Sequence, residues 1–146
     1  MRLWHIDLIP YLPKSQLLAQ WRELNSIFKK QDKHILINYI YNYPRYYLFH
    51  YTSKVMNEIK NRGLKIRSYN NYYEYFRYSG ETDLEEYYDK LRFTNRKYRF
   101  KEHNDEYLTI CYYNLKEKYL RGQKDFTKEV WDKLDEFYKN KLKENK

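Results

Sequence analysis

Residues 13–30 read PKSQLLAQWRELNSIFKK, and their spacing decides the fold. Leu17, Trp21, Leu24 and Phe28 recur at three- and four-residue intervals, with Leu18 alongside, which puts them on one stripe of an α-helix. Ser15, just after the Pro10–Pro13 turn, is the expected cap, and the polar run KKQDKH ends the helix near Lys30. On that helix Glu23 points away from the stripe and Arg22 lies to one side. The small Ala19 and Ser26 share the outward face of Glu23. Geometry alone makes an Arg–Glu pair on such a face solvated surface charge.

The same reasoning extends along the chain. A second helix is expected from about Pro44 to Arg62, with Leu48, Tyr51, Val55 and Ile59 inward and Gly63 closing it. SYNNYYEYFRYSG, 68–80, is aromatic and fits no single element. Thr82-Asp83-Leu84-Glu85 reads as a capping box for a short helix to about Leu91. Asn104, Asp105 and Glu106 open another helix, whose stripe of Leu108, Cys111, Tyr112, Leu115 and Tyr119 runs to Gly122. A last helix is expected from about Phe126 to Leu142, with Val130, Trp131, Leu134 and Tyr138 inward. No strand pair, repeat or linker stands out. The fold class is therefore all-α: one compact domain over 1–146, of about four to five helices, with an extended N-terminal segment folded over the first helix.

Composition narrows the partners. The chain carries 29 Lys+Arg against 20 Asp+Glu, a net charge of +9. The excess lies in residues 1–73, with 12 basic against 4 acidic residues. A basic half points to a polyanion, nucleic acid before an anionic membrane surface, although a general solubility bias explains composition equally well. Tyrosine is abundant, at 20 residues, and most of it is expected to pack as half-buried core. Mean hydropathy is −1.11, and no apolar run approaches the ~18 residues of a membrane span. A single cysteine, Cys111, has no internal disulfide partner and fits a reducing cytoplasm. One thiol and four scattered histidines give no zinc-ligand pattern, so neither metal nor cofactor is expected.

LLAQWRELNSIF at 17–28 followed by KHI at 33–35 closely resembles the first helix and loop of the bacteriophage endonuclease V family, without a gap from Leu17 to Ile35. Glu58 with Asn61-Arg62-Gly63-Leu64-Lys65-Ile66 resembles the end of the family's second helix. His103 with Leu115-Lys116-Glu117-Lys118 resembles its C-terminal helix more weakly. MRLWH and the whole 1–35 region look like bacterial relatives. These are pyrimidine-dimer DNA glycosylases with an abasic-site lyase activity, small and all-α.

The resemblance implies an unusual chemistry. The nucleophile is the α-amine of the first residue, which attacks the deoxyribose C1′ under the 5′ base of a cyclobutane dimer. A Schiff base forms, the glycosidic bond breaks, and β-elimination nicks the strand. Glu23 matches the family's indispensable glutamate, and Arg22 its arginine neighbour. The physics suits these parts: α-amines titrate near ~8, well below the ~10.4 of lysine, so an appreciable fraction is nucleophilic at physiological pH. Glu23 can stabilise a cationic Schiff base and move protons. Arg2 is too large for removal of the initiator methionine, so Met1 is the expected nucleophile and Arg2 matches the arginine after it, with a one-residue shift before Leu17. The phage enzyme has a second arginine where this chain has Ser26, which removes a contact and leaves substrate preference open.

Other candidates admit two readings each. Lys33 and His34 contact phosphates or form a solvated loop. Arg92, Arg96, Lys97, Arg99 and Lys101, interleaved with aromatics, line a DNA groove or form a connector whose charges face water; the resemblance implies that Arg2 and Arg22 grip phosphates. His5 tunes the nucleophile or binds a phosphate. His103 reads as an end contact. Glu85 and Glu86 read as capping residues. The expected partner is damaged double-stranded DNA, with no membrane and a monomeric protein. The rival readings are a non-catalytic DNA- or RNA-binding module on the same fold and a glycosylase for another damaged base.

Overall fold

The computed structural model describes residues 1–77 and 98–144. Among them are five α-helices and two short 3-10 segments, with no strand. Helix α1 spans Lys14–Lys30, α2 Arg45–Asn61, α3 Asn70–Arg77, α4 Asp105–Leu120 and α5 Lys128–Glu144. A 3-10 segment at Ile6–Tyr11 precedes α1, and another at Asn38–Asn42 precedes α2. No described helix is long and apolar enough to cross a membrane. The capping box at 82–85, the helix expected to Leu91, and Arg92, Arg96 and Lys97 lie outside the described residues.

Helix α1 packs against α2 and α3, while α4 pairs with α5. The Ile6–Tyr11 segment packs on both α2 and α5 and so joins the two layers. One continuous core results, with Leu3, Leu8, Leu17, Leu24, Val55, Ile59, Leu108, Leu115 and Leu134 all at zero exposure. The aromatic stretch left ambiguous by its sequence forms α3, because Tyr72, Tyr75 and Phe76 fall on one face and pack their rings around Phe28 of α1.

The helix ends follow local chemistry. Gly63 has φ +71° and Gly122 φ +82°, a left-handed backbone that costs glycine nothing. At each, the next two N–H groups turn back on the last carbonyls: Gly63 to Lys60 and Leu64 to Ile59, then Gly122 to Tyr119 and Gln123 to Lys118. Both are Schellman closures. Asn104 caps α4 by accepting from the Tyr107 N–H at 2.9 Å. The start of α1 departs from expectation. Ser15 lies inside the helix, and Asp125, from the α4–α5 loop, caps it instead. Its carboxylate accepts from the Ser15 N–H at 2.6 Å and the Ser15 hydroxyl at 2.7 Å. Helix α5 starts at Lys128 rather than Phe126, since Thr127 caps it and Phe126 is buried beside Tyr119 and Trp131.

Candidate active site

The first five residues lie in no helix or strand, so most of their polar groups must be satisfied elsewhere. They are met by side chains from three helices and a loop. Gln20 of α1 accepts the Trp4 N–H at 2.8 Å and donates to the Arg2 carbonyl at 3.2 Å. The Tyr51 hydroxyl of α2 donates to the Trp4 carbonyl at 2.7 Å, with the Gln20 oxygen at 3.0 Å. The Tyr107 hydroxyl of α4 donates to the Leu3 carbonyl. His103 accepts the Ile6 N–H at Nδ1, 3.1 Å away. An Asp7–Arg99 ion pair closes the segment. These bonds are buried or half-buried, so the segment's path is set residue by residue.

That path brings the chain's first residues to Glu23. The Met1 side chain packs on the core, and the Met1 ammonium and the Arg2 backbone N–H both act on the Glu23 carboxylate. Gln20 reaches the same carboxylate, donating to Oε2 at 3.2 Å. Burial pushes the Glu23 pKa up; the Arg2 N–H, the Met1 ammonium, Gln20 and Arg22 pull the other way without cancelling it. Glu23 is half-buried rather than on the outermost face. Gln20 and Ile27 are buried with the Leu17–Phe28 stripe, and including them turns the buried face by roughly 30° toward Glu23. Arg22, beside Glu23 in sequence, is exposed.

Beneath the segment lies a small buried polar cluster. Because His103 Nδ1 accepts a hydrogen bond, its proton sits on Nε2 and is donated to the Tyr39 hydroxyl at 2.7 Å. Burial, with His5 and Arg99 nearby, pushes the His103 pKa down to about 3, so the ring is a neutral, fixed acceptor. His5 is likewise buried, accepts the Asp7 N–H at Nδ1 and starts the 3-10 segment. Burial holds it below the usual histidine range against the pull of Asp7. At 3% exposure His5 has no route to a phosphate.

Outside Glu23, α1 and α3 enclose a groove of about 330 Å³ lined by Arg22, Asn25, Ser26, Lys29, Lys30 and Asn71. Its charge is one-sided, since its lining carries Arg22, Lys29 and Lys30 and no carboxylate, and none of the three forms an ion pair among the described residues. The amides of Asn25 and Asn71 bond to each other and floor it. A free amine beside a half-buried carboxylate, next to a cationic groove, is suited to attack on a sugar within a phosphate-bearing polymer.

The sequence model of one protein family, described as pyrimidine dimer DNA glycosylase, matches residues 1–72. Residues 1–72, just under half of the chain, thus carry the pattern of the pyrimidine dimer DNA glycosylase family. No curated protein and no solved structure matches the chain.

The region matched by the glycosylase family contains Met1, Arg2, Gln20, Arg22, Glu23, Ser26, Lys33, His34 and Tyr51. The structure gathers the first six of these around the chain start and the groove, with Tyr51 behind. The Arg2 guanidinium lies over the Trp4 and Tyr107 rings, 5.9 and 5.8 Å from their centroids, which fixes its position. Lys33 and His34 stay apart from Glu23, exposed in the loop after α1. Arg99 is not a free groove cation, because its guanidinium is engaged by Asp7. Arg96 and Lys97 lie outside the described residues.

Sequence reasoning missed Gln20, Tyr51, Tyr107 and the role of His103. Gln20 carried a usable signal: it lies three residues after Leu17 and four before Leu24, a core register occupied by a polar residue. Tyr51 was read as ordinary core, and nothing local distinguishes it from the other tyrosines.

Proposed function

We propose that the chain is a DNA glycosylase with lyase activity on cyclobutane pyrimidine dimers in duplex DNA, with the Met1 α-amine as nucleophile. The family match over residues 1–72 supports the dimer-glycosylase class. The single observation that carries the assignment of residues is the joint hold of Gln20 on the N-terminal segment and on Glu23, which keeps the Met1 ammonium and the carboxylate within electrostatic reach.

In this reading the neutral amine attacks C1′ of the 5′ nucleotide of the dimer. The C1′–base bond breaks with its electron pair leaving on the base, and the sugar ring opens to an iminium linking the amine to C1′. Glu23 lies against the developing cation and lowers its energy. The carboxylate then removes a proton from C2′, the C3′–oxygen bond breaks, and the strand on the 3′ side departs carrying the phosphate at its 5′ end. Water hydrolyses the imine and frees the amine. The raised Glu23 pKa favours this work, because a carboxylate that protonates more readily is a better base toward the C2′ proton.

Arg22, Lys29 and Lys30 grip phosphates along the groove, and Arg2 approaches the reacting nucleotide. Ser26 offers a small hydroxyl where the phage enzyme has an arginine, so grip there rests on the lysines one turn on. Reaching C1′ requires a kinked duplex with a displaced nucleotide. The protein acts as a monomer.

The test is strand nicking of a duplex carrying one thymine dimer. The native protein nicks at the dimer. Glu23→Gln binds the duplex with unchanged affinity and loses nicking. Tight binding without nicking by the native protein would instead favour a DNA-binding module, and an unchanged rate in Glu23→Gln would remove its assigned role.

A further inference from the structure

A second cavity lies apart from Glu23. It is a half-open cleft of about 830 Å³ between the Ile6–Tyr11 segment, α2 and α5. That is within the usual range for a small-molecule site, roughly 300–1,000 Å³. None of its lining residues lines the groove beside Glu23. The face of α2 that it uses, His50, Lys54, Asn57 and Asn61, is roughly a quarter turn round the helix from Tyr51, which faces Gln20.

The polar groups here are unspent. His50 is 4% exposed, yet its ring makes no hydrogen bond among the described residues, and its nitrogens are not sealed from solvent. A buried imidazole without a protein partner is uncommon, and its open side is the cleft. Burial, with Lys54 and Arg99 alongside, holds its pKa at about 4, so at neutral pH it presents one donor and one acceptor. Lys54 and Lys141 have no acidic partner among the described residues, whereas the two lining carboxylates, Asp7 and Glu58, are taken by Arg99 and Arg62. The Asn57 and Asn61 amides, one turn apart, are also unbonded. Opposite them Tyr11 stacks on Phe137, ring centroids 4.6 Å apart, beside Ile9 and Pro10.

An apolar aromatic wall, two free amides, a neutral imidazole and two unpaired ammonium groups suit a flat heteroaromatic ring carrying an anionic group. We propose that this cleft is a second binding site, for a nucleoside monophosphate: the base lies against the Tyr11–Phe137 wall with its edge on Asn57 and Asn61, and the phosphate meets Lys54, Lys141 and the His50 ring.

Titration calorimetry with adenosine 5′-monophosphate, adenosine and inorganic phosphate tests this, alongside ring-carbon NMR shifts of His50. The monophosphate is expected to bind once per chain and to move the His50 signals, with the nucleoside and phosphate each weaker by roughly tenfold or more. Lys54→Ala, an exposed substitution, and His50→Leu, checked for native helicity, each weaken binding by roughly tenfold. Nicking of dimer-containing duplex stays at the native rate in both, and Glu23→Gln binds the nucleotide normally. Absence of binding at millimolar nucleotide overturns the proposal. So does binding that survives both cleft variants, or that is lost in Arg22→Ala, which would assign the nucleotide to the DNA groove.

Discussion

Replacing Gln20 with leucine separates positioning of the amine from every other role of the fold. Leucine fills nearly the same volume and keeps the helix. It cannot accept the Trp4 N–H, donate to the Arg2 carbonyl, or reach Glu23. The Tyr51 hydroxyl keeps the Trp4 carbonyl, so one link survives. Two backbone groups are left without partners at about 1–3 kcal/mol each, and the added apolar burial returns about 1 kcal/mol, for a net loss of about 1–5 kcal/mol. For a chain of this size that lowers Tm by about 3–15 °C. The larger effect is on chemistry. A shift of about 1 Å in the attacking group costs on the order of 10²-fold in rate, so single-turnover nicking of a dimer duplex should fall by about that factor. Binding, measured by anisotropy on the same duplex, should stay within about twofold, because Gln20 is buried and contacts Arg2 only at its backbone carbonyl. A variant that shows the expected loss of stability but nicks at the native rate would refute the view that Gln20 holds the amine in place.

The other predictions concern separable parts of the account. Arg22→Ala and Lys29→Ala should each weaken duplex binding and reduce the slope of log K against log salt by about 1, read from titrations at several salt concentrations. Asp125→Ala should cost about 1–2 kcal/mol by uncapping α1, with nicking unchanged in a folded sample. Burial alone would raise the Asp125 pKa, but its bonds to Ser15 and Gln123 bring it below the usual range. Its contribution is therefore present above the ordinary aspartate range, ~3.9, and fades as pH falls through the depressed value, so wild type and variant should converge in acid. Glu23 has the opposite sign. Its raised pKa means that the folded state holds the proton more tightly, so stability falls as pH rises through the unfolded and then the folded value. Glu23→Gln should raise Tm at neutral pH, and the gain should vanish by about pH 3.

The sequence carried the fold wherever structure is made by neighbours along the chain. The α1 stripe, the glycine closures at Gly63 and Gly122 and the Asn104 cap each depend on a few adjacent residues, and each forms as its local chemistry requires. Contacts across the fold were illegible. Ser15 reads as a cap because nothing local reveals that Asp125, 110 residues away, supplies a better acceptor. Arg99 reads as a groove cation until Asp7 is seen beside it. Glu23 reads as outward-facing until Gln20 and Ile27 are counted as buried, and only the N-terminal segment lying over α1 explains why a glutamine is buried there. The family resemblance pointed to Glu23 and Arg22, but it left silent how an amine at the end of an extended segment is kept in register. Gln20, Tyr51, Tyr107 and His103 supply that hold, one backbone group each or two, from four separate places in the chain.

The central claim is that the chain's first amine is the nucleophile. Borohydride added during reaction of the untagged protein with a thymine-dimer duplex reduces the imine and fixes the covalent link, and peptide mapping then locates it. The account predicts an adduct on the Met1 α-amine, absent when that amine is acetylated. An adduct on a lysine side chain, or dimer-specific nicking by the acetylated protein, would contradict it.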